Sequence, residues 1–379
     1  MSRRILKQLL SKVDLTSCLQ PIFLWMQMVG IPSGEYHSSS RYRRYPILVV
    51  GIALMTWVVT ANSYKLLQVP DRSGGGSTRQ WTWALKTFQT HSAHIVISLN
   101  LFIGAHLQWR HLWHKACQIE QIMSFNADFY RALRKISTAA ISLLLLVHSP
   151  IEILEKYVIT NDYYYQESAA LVYRCCSDDF EKTNALAVAM QLGYWLGTLY
   201  PVSAVVLFMS LTWMASMMLQ RLVDDLPTAA IPVHYELNEQ LVTWKRHYRL
   251  ISDFIERINH LFGAILLTYI ASQIFNYVTY IFWLILEFKH KKSAVLQLQE
   301  SKELQTLLMV YLVRNGAYVF SLIMVSHRIK QKVCPLCLCR HEINSQMANV
   351  SHTPQVLKAS RLLRTLQFSD NTVQCQVHF

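Results

Sequence analysis

The chain has 379 residues, of which 52% are hydrophobic and 16% are charged, and its formal net charge is +13. Charged residues are scarce for a soluble chain of this length, and the apolar residues gather in long uncharged runs, so a membrane protein with several spans is predicted. Residues 1–44 are polar and basic and have no long apolar core near their start, which excludes a cleaved signal peptide. They are predicted to form a cytosolic N-terminal segment.

Six apolar runs predict six membrane-spanning helices, because about 20 apolar residues in a helix cross a bilayer. The third run must include Glu152 to reach span length, so this span is the least regular. The fourth run is uncharged over residues 185–220, too long for one crossing and too short for two, which predicts a long helix that projects beyond the membrane. In chain order the spans are placed at 45–64, 87–109, 136–158, 189–217, 261–286 and 304–326.

The distribution of Lys and Arg predicts the orientation of these spans. With the N-terminus in the cytosol, the inner segments hold 24 of these residues and the outer loops hold 10. Basic residues accumulate on the cytosolic side of membrane proteins, so a cytosolic N-terminus is favoured, and an even number of spans makes residues 327–379 a cytosolic tail. The net positive charge follows from this topology. The predicted partner is the lipid bilayer, and a nucleic-acid partner is not indicated.

The stretch Leu237–Leu286 is predicted to be a single rod. In its first half, apolar residues recur at alternating steps of four and three, which keeps them on one side of a helix, and charged residues fill the other sides. Residues 261–286 carry no charge, and no Pro or pair of Gly interrupts the junction. A cytosolic amphipathic arm at 221–261 therefore continues into the fifth span, with a hidden turn at Gly263 as the alternative. The apolar seam predicted to join subunits consists of Leu241, Trp244, Tyr248, Ile251 and Ile255.

Three cysteines follow the sixth span closely on the predicted cytosolic side: Cys334, Cys337 and Cys339. Reversible acylation of juxtamembrane cysteines is the simplest interpretation, with inert thiols as an alternative. A zinc site is the third interpretation, but the second half of a paired Cys-x-x-Cys site is missing, so no metal is predicted. Cys175 and Cys176 lie on the outer side, where a disulfide to another chain or no disulfide is expected.

Arg314 lies within the sixth span and is predicted to be a buried charge. An arginine near the middle of a span costs about 2.5–3.5 kcal/mol on insertion scales, so it usually faces a cavity or a partner. Glu152 and the acidic loop at 162–181 are the candidate partners, and a shifted span that lets Arg314 reach the interface is the alternative. No catalytic arrangement of Ser, His and Asp or of paired carboxylates is present on a rigid water-exposed element, so an enzyme is not predicted.

The chain resembles the insect chemoreceptor superfamily in its cytosolic N-terminus, its long fourth span and the cytosolic extensions of its later spans. The motifs that carry this resemblance are WKRHYRL at 244–250, INHLFG at 258–263 and LLRTLQFS at 362–369. The gustatory branch fits better than the odorant branch.

This resemblance implies an all-α bundle of seven spans in the plasma membrane. It further implies a homo- or hetero-tetrameric, ligand-gated, non-selective cation channel without a cofactor, which responds to a small-molecule tastant. The cytosolic arm would anchor the subunits together. Only six spans are found up to Phe379, so the pore-lining seventh helix is expected to be missing from this sequence.

The ligand pocket is predicted in the outer half of the bundle, where an apolar wall meets a few polar groups. The candidate ligand-binding residues are His94, His148, Glu152, Tyr194, Trp195, Tyr200 and Tyr318.

Other receptor and channel classes fit less well. A G-protein-coupled receptor needs an outer N-terminus and motifs that are absent, and a voltage-gated channel needs regularly spaced arginines in the fourth span. A secondary transporter stays open as an alternative, because Arg314 and Glu152 are suited to a substrate path.

Overall fold

A computed structural model of the chain describes residues 14–31, 44–67, 78–123, 125–145, 180–224, 234–290, 309–310 and 312–329. All regular secondary structure in these ranges is helical, which confirms the predicted all-α class. The helices, in chain order, are α1 (Leu15–Met28), α2 (Arg44–Leu67), α3 (Thr78–Met123), α4 (Ala127–Leu143), α5 (Phe180–Asp224), α6 (His234–His290) and α7 (312–329).

The described part of each predicted span lies on one of the helices α2 to α7. Two of these helices are long and apolar enough to cross a membrane, over Trp195–Asp224 in α5 and Val242–Phe282 in α6, and a shorter apolar stretch covers Leu48–Ser63 in α2. α3 extends from Thr78 to Met123, so the polar segment after the second predicted span continues this helix as far as Met123, and Asn126 then caps α4. The six-span topology and its orientation stay predictions.

The N-terminal segment contains a buried helix that the sequence analysis did not predict. Asp14 caps α1 by accepting a hydrogen bond from the backbone N–H of Ser17 at 2.8 Å, and the Ser17 side chain bonds back to the Asp14 N–H in a capping box. The interpretation of residues 1–44 as a polar segment is therefore corrected for this helix. Its side chains are apolar at the spacing of one helix face, and those buried in the core are Leu15, Cys18, Leu19, Ile22, Phe23, Trp25 and Met26.

α1 is held against the bundle at its C-terminal end by a close backbone contact. Gly30 adopts a positive φ of 76°, which closes the helix and lets the N–H of Ile31 reach the carbonyl of Met26 at 2.7 Å. A Cβ at Gly30 would lie 2.8 Å from the Cα of Gly51 on α2. The contact between these two helices therefore depends on glycine at both positions.

α5 is the central helix of the bundle. It packs against α2, α3, α4 and α6, and its residues from Leu199 to Leu222 are buried on nearly every side. A helix that is apolar all round is expected in such a position. The guanidinium of Arg328 on α7 stacks over the Trp213 ring at 3.7 Å, so α7 also contacts α5.

The predicted rod is confirmed as one continuous helix. α6 runs from His234 to His290 without a break, and a Cβ at Gly263 would meet nothing within 4 Å, so this glycine marks no turn or close approach. Its division between cytosol and membrane stays a prediction.

The described part of the seam packs within its own chain, and its role in joining subunits stays a prediction. Tyr248, Ile251 and Ile255 are buried against the bundle, and α6 packs along α3 and α5. Trp244 is half-buried and donates a hydrogen bond from Nε1 to the carbonyl of Leu222 on α5 at 3.0 Å. The side chain of Leu241 lies outside the described part. The apolar side chains that the 4-3 spacing places on one face are therefore covered by α3 and α5.

Candidate functional site: a polar layer in the outer half of the bundle

Five polar residues from three helices meet inside the bundle, near the ends that the predicted topology places outside. We call this group the polar layer, and it consists of Asn62, Thr90, His91, His94 and Asn276. Polar groups between membrane-spanning helices are expensive unless they bond to one another, so a cluster of them points to a functional site.

The best-defined contact of the polar layer joins α2 to α3. The Asn62 Oδ1 and the His91 Nδ1 are 2.8 Å apart, and both side chains are fully buried. The Asn62 Nδ2 donates to the carbonyl of Val58 on its own helix at 2.8 Å, so the amide oxygen is fixed toward the imidazole and accepts its proton from Nδ1. This pairing sets the His91 tautomer and leaves Nε2 as an acceptor.

α5 approaches the polar layer closely at a glycine. A Cβ at Gly197 would lie 2.6 Å from the Asn62 Nδ2, a distance that real Cβ atoms do not show. A residue with any side chain at position 197 would displace the amide that holds His91. Gly197 therefore allows α2 and α5 to come together around the layer.

α6 joins the polar layer through two further contacts with α3. The Thr90 hydroxyl donates to the Asn276 Oδ1 at the long distance of 3.5 Å, and the Lys86 ammonium lies 4.4 Å from the centroid of the Tyr280 ring. These contacts are weak compared with the pair of Asn62 and His91.

Apart from Tyr200, the ligand-binding residues predicted from sequence fall into three groups in the structure. His94 belongs to the polar layer, with its ring centroid 6.1 Å from that of His91 and nearly perpendicular to it. Trp195 and Tyr318 are half-buried and buried on α5 and α7. The side chain of Tyr194 and all of His148 and Glu152 lie outside the described part.

Tyr200, another of the predicted ligand-binding residues, links α5 to the end of α1, and its contact with a ligand stays a prediction. Its side chain is 1% exposed, and its hydroxyl donates to the carbonyl of Val29 at 2.6 Å, just beyond the end of α1. Trp25 makes a parallel link, because its Nε1 donates to the Ser203 hydroxyl at 2.8 Å. Both bonds fasten α1 to α5, so the Tyr200 hydroxyl is occupied.

Arg314 on α7 is partly buried and donates from Nε to the Asn315 Oδ1 at 3.4 Å. Its predicted partners, Glu152 and the loop at 162–181, lie outside the described part. The Tyr277 hydroxyl of α6 donates to the carbonyl of Leu312 at 2.5 Å, which holds the outer part of α7 beside α6. Cys334, Cys337 and Cys339 also lie outside the described part.

A second polar site lies at the opposite, predicted cytosolic, end of the bundle. A cavity of about 270 Å³ opens between the start of α4, the end of α5 and the end of α7. Its lining contains two arginines, Arg221 and Arg328, and two aspartates, Asp128 and Asp224. We call it the inner cavity.

A buried carboxylate ties α1 to α3 near the same end. The Glu120 Oε1 accepts hydrogen bonds from the backbone N–H of Leu15 at 3.0 Å and from the Tyr130 hydroxyl at 2.8 Å. Burial raises the pKa of Glu120, whereas the two hydrogen bonds lower it. Burial also raises the pKa of the Cys18 and Cys117 thiols to about 11, so both are neutral and unreactive at physiological pH.

This architecture is similar to that of a solved structure, although no match is found by sequence. No protein-family model matches the chain, and no curated protein sequence does. Among solved structures, the insect olfactory receptor OR5 from Machilis hrabei is similar, with a TM-score of 0.61 and 12% identity, over 93% of this chain and 88% of that chain. The chain therefore has the fold of an insect olfactory receptor.

Proposed function

We propose that this protein is a chemoreceptor subunit of the insect chemoreceptor kind, a ligand-gated cation channel that responds to small-molecule tastants. The observation that carries the proposal is the similarity to an olfactory receptor along 93% of the chain, together with the resemblance of the motifs at 244–263. Two helices of span length and apolarity support a multi-pass protein of the plasma membrane.

The ligand site of this proposal is the polar layer. It offers amide, imidazole and hydroxyl groups inside an apolar bundle, and such a combination suits a small neutral ligand with hydroxyl or carbonyl groups. A ligand that replaces the weak contact of Thr90 with Asn276 gains hydrogen bonds without breaking the pair of Asn62 and His91. His94, Trp195 and Tyr318 are proposed to complete its surroundings.

The direct test is ligand-evoked response in cells that express the protein, with a panel of sugars, bitter compounds and volatile odorants. The diagnostic pair is Asn276→Leu and Asn100→Leu, because the ligand is proposed to replace the contact of Asn276 with Thr90, whereas Asn100 is exposed and its amide bonds, within the described residues, only to Val96 of its own helix. Loss of a buried hydrogen-bond partner costs about 1–3 kcal/mol, so Asn276→Leu should weaken the response roughly tenfold or more. Asn100→Leu should leave it unchanged.

Several outcomes would contradict the proposal. If both variants reach the cell surface and respond like the parent protein, the ligand binds elsewhere. Saturable uptake of the ligand without current would favour the transporter alternative. A response to volatile compounds alone would place the protein with odorant receptors.

Assembly and orientation complete the proposal: a homo- or hetero-tetramer with both termini in the cytosol. Since Tyr248, Ile251 and Ile255 are buried in the chain, the subunits are proposed to associate through other surfaces. Cross-linking in mild detergent measures the oligomeric state. Tags before Met1 and after Phe379 should be labelled only after permeabilisation, and labelling of either on intact cells would refute the orientation.

A further inference from the structure

The inner cavity lies where three helices end at the predicted cytosolic surface of the membrane. Arg221 follows the predicted fourth span by four residues, and Arg328 follows the sixth span by two. Both arginines are half-buried, whereas Asp128 and Asp224 are exposed. The positive groups therefore lie deeper in the cavity and the negative groups lie at its rim.

The spacing along α5 fixes the direction of this charge separation. Arg221 and Asp224 are three residues apart, which is about 4.5 Å along a helix axis, and Asp224 is nearer the cytosol in the predicted orientation. A phospholipid headgroup that carries an ammonium beyond its phosphate has the complementary order of charges over a comparable distance. The phosphate lies nearer the membrane and the ammonium lies nearer the water.

The carboxylates at the rim have only exposed partners within the described part. Asp128 forms an ion pair with Arg131 at 3.5 Å, and both side chains are more than two-thirds exposed. Asp224 accepts a hydrogen bond from the Gln220 amide at 2.6 Å. Exposed pairs of this kind contribute little, so a ligand ammonium can join these carboxylates at small cost.

Apolar side chains of α5 and α7 lie between the inner cavity and the middle of the predicted spans, and we call the space between them the groove. On α7, Phe320 and Met324 precede Arg328 at steps of four residues, so all three lie on one helix face, and Phe320 and Met324 are 63% and 50% exposed. On α5, Trp213 and Met217 are half-buried one turn apart, and Trp213 contacts Arg328. These side chains offer a surface for acyl chains directly above the charged cavity.

We propose that the inner cavity binds the headgroup of a zwitterionic membrane phospholipid of the phosphatidylethanolamine type. Arg221 and Arg328 contact the phosphate, Asp224 and Asp128 receive the ammonium, and the acyl chains lie in the groove between α5 and α7. At about 270 Å³, the cavity is near the lower limit of roughly 300 Å³ for small-molecule sites, which suits a headgroup and excludes a whole lipid. This site is separate from the polar layer and does not depend on the proposed chemoreceptor function.

The test is lipid binding by the purified full chain, measured by native mass spectrometry and by thermal shift. The probes are phosphatidylethanolamine, phosphatidylglycerol with the same acyl chains, and soluble phosphoethanolamine. The parent protein should bind phosphatidylethanolamine several times more tightly than phosphatidylglycerol, and soluble phosphoethanolamine should not compete at equal concentration because it lacks acyl chains.

Charge-removing variants locate the site. Arg328→Gln should weaken both lipids about tenfold, since one charge-assisted bond to the phosphate is lost. Asp224→Asn should weaken phosphatidylethanolamine alone and so remove the preference. Arg249→Gln and Glu256→Gln, two exposed positions on α6 outside the cavity, are the matched controls and should bind as the parent does. If Arg328→Gln does not fold, Arg221→Gln tests the same contact.

Three results would overturn the proposal. Unchanged lipid binding in a folded Arg328→Gln or Arg221→Gln variant would show that the inner cavity does not bind the phosphate. An unchanged preference for phosphatidylethanolamine in Asp224→Asn would show that Asp224 does not bind the ammonium. Equal competition by soluble phosphoethanolamine would identify a free phosphate compound, and not a membrane lipid, as the ligand.

Discussion

Replacement of Phe23 by alanine should release α1 from the bundle. The Phe23 ring is 2% exposed and lies edge-on to two indole rings, with its centroid 6.0 Å from that of Trp109 and 4.9 Å from that of Trp113. Removal of a buried phenylalanine side chain typically costs about 3–5 kcal/mol. Phe23 belongs to α1 and both indole rings belong to α3, so this cost should fall on the docking of α1.

Hydrogen exchange measures this effect directly. A loss of about 3 kcal/mol corresponds to a factor of more than 100 in an equilibrium constant, so the amides of residues 15–28 should exchange at least about 100 times faster in Phe23→Ala. Amides of α5 should change much less. Met28→Ala is the control on the same helix, because Met28 is 66% exposed. Equal exchange in the two variants would refute the argument that α1 is an integral part of the core.

Three further predictions concern other parts of the molecule. The raised pKa of Glu120, ordinarily 4.5, means that the folded protein binds this proton more tightly than the unfolded chain, so the free energy of unfolding should fall as the pH rises from 4.5 through the raised value. Thermal unfolding against pH measures this, and Glu120→Gln should remove this component of the dependence. Ile251→Asp places a carboxylate at a fully buried position and should abolish the peak of folded protein in size-exclusion chromatography. Val242→Asp, at a site that is 48% exposed, should leave that peak unchanged. A folded but dissociated Ile251→Asp variant would instead show that the seam joins subunits. Gly197→Ala should lower the melting temperature and the ligand response, because its Cβ would lie 2.6 Å from the Asn62 amide nitrogen. Gly263→Ala, whose Cβ would have nothing within 4 Å, should be neutral or stabilising by up to about 1 kcal/mol. Equal effects of the two substitutions would refute the close approach at position 197.

The long helices could be predicted from sequence because their signals are local. Charges stop at Leu261, and the absence of Pro or a pair of Gly near Gly263 predicts a continuous rod, which α6 confirms. The 36 uncharged residues at 185–220 likewise predict one long helix, and α5 extends this to Asp224. Both predictions depend on hydropathy and on helix-breaking residues along one segment, with no knowledge of its neighbours.

α1 was not predicted, although its sequence contains a signal. Asp14 and Ser17 form a capping box, and buried residues follow at the spacing of one helix face. The basic residues on both sides of the helix directed the interpretation toward a polar cytosolic segment, and Pro21 weakened the helical pattern. Inspection of shorter windows for caps would have found this helix.

The polar layer could be predicted only in part, because its contacts join residues far apart in the chain. His94 was identified from its position in an apolar run, but Asn62 was not, since a single asparagine near the end of a run is compatible with an interfacial position. Its contact with His91 crosses 29 residues and depends on the close approach of α2 and α5 at Gly197. Sequence periodicity contains no information about which helices become neighbours.

The seam of α6 also shows that sequence periodicity does not identify the neighbours of a helix. A 4-3 spacing of apolar residues states that one face of a helix is covered, and it is equally satisfied by a second subunit or by helices of the same chain. Here α3 and α5 cover it, with Lys115 and Asp253 forming an ion pair at 3.3 Å beside the seam. The arm and Asn276 of the polar layer are parts of one unbroken helix of 57 residues, about 85 Å long. The helices that cover each part of it are determined by the packing of distant segments, which the spacing along α6 does not encode.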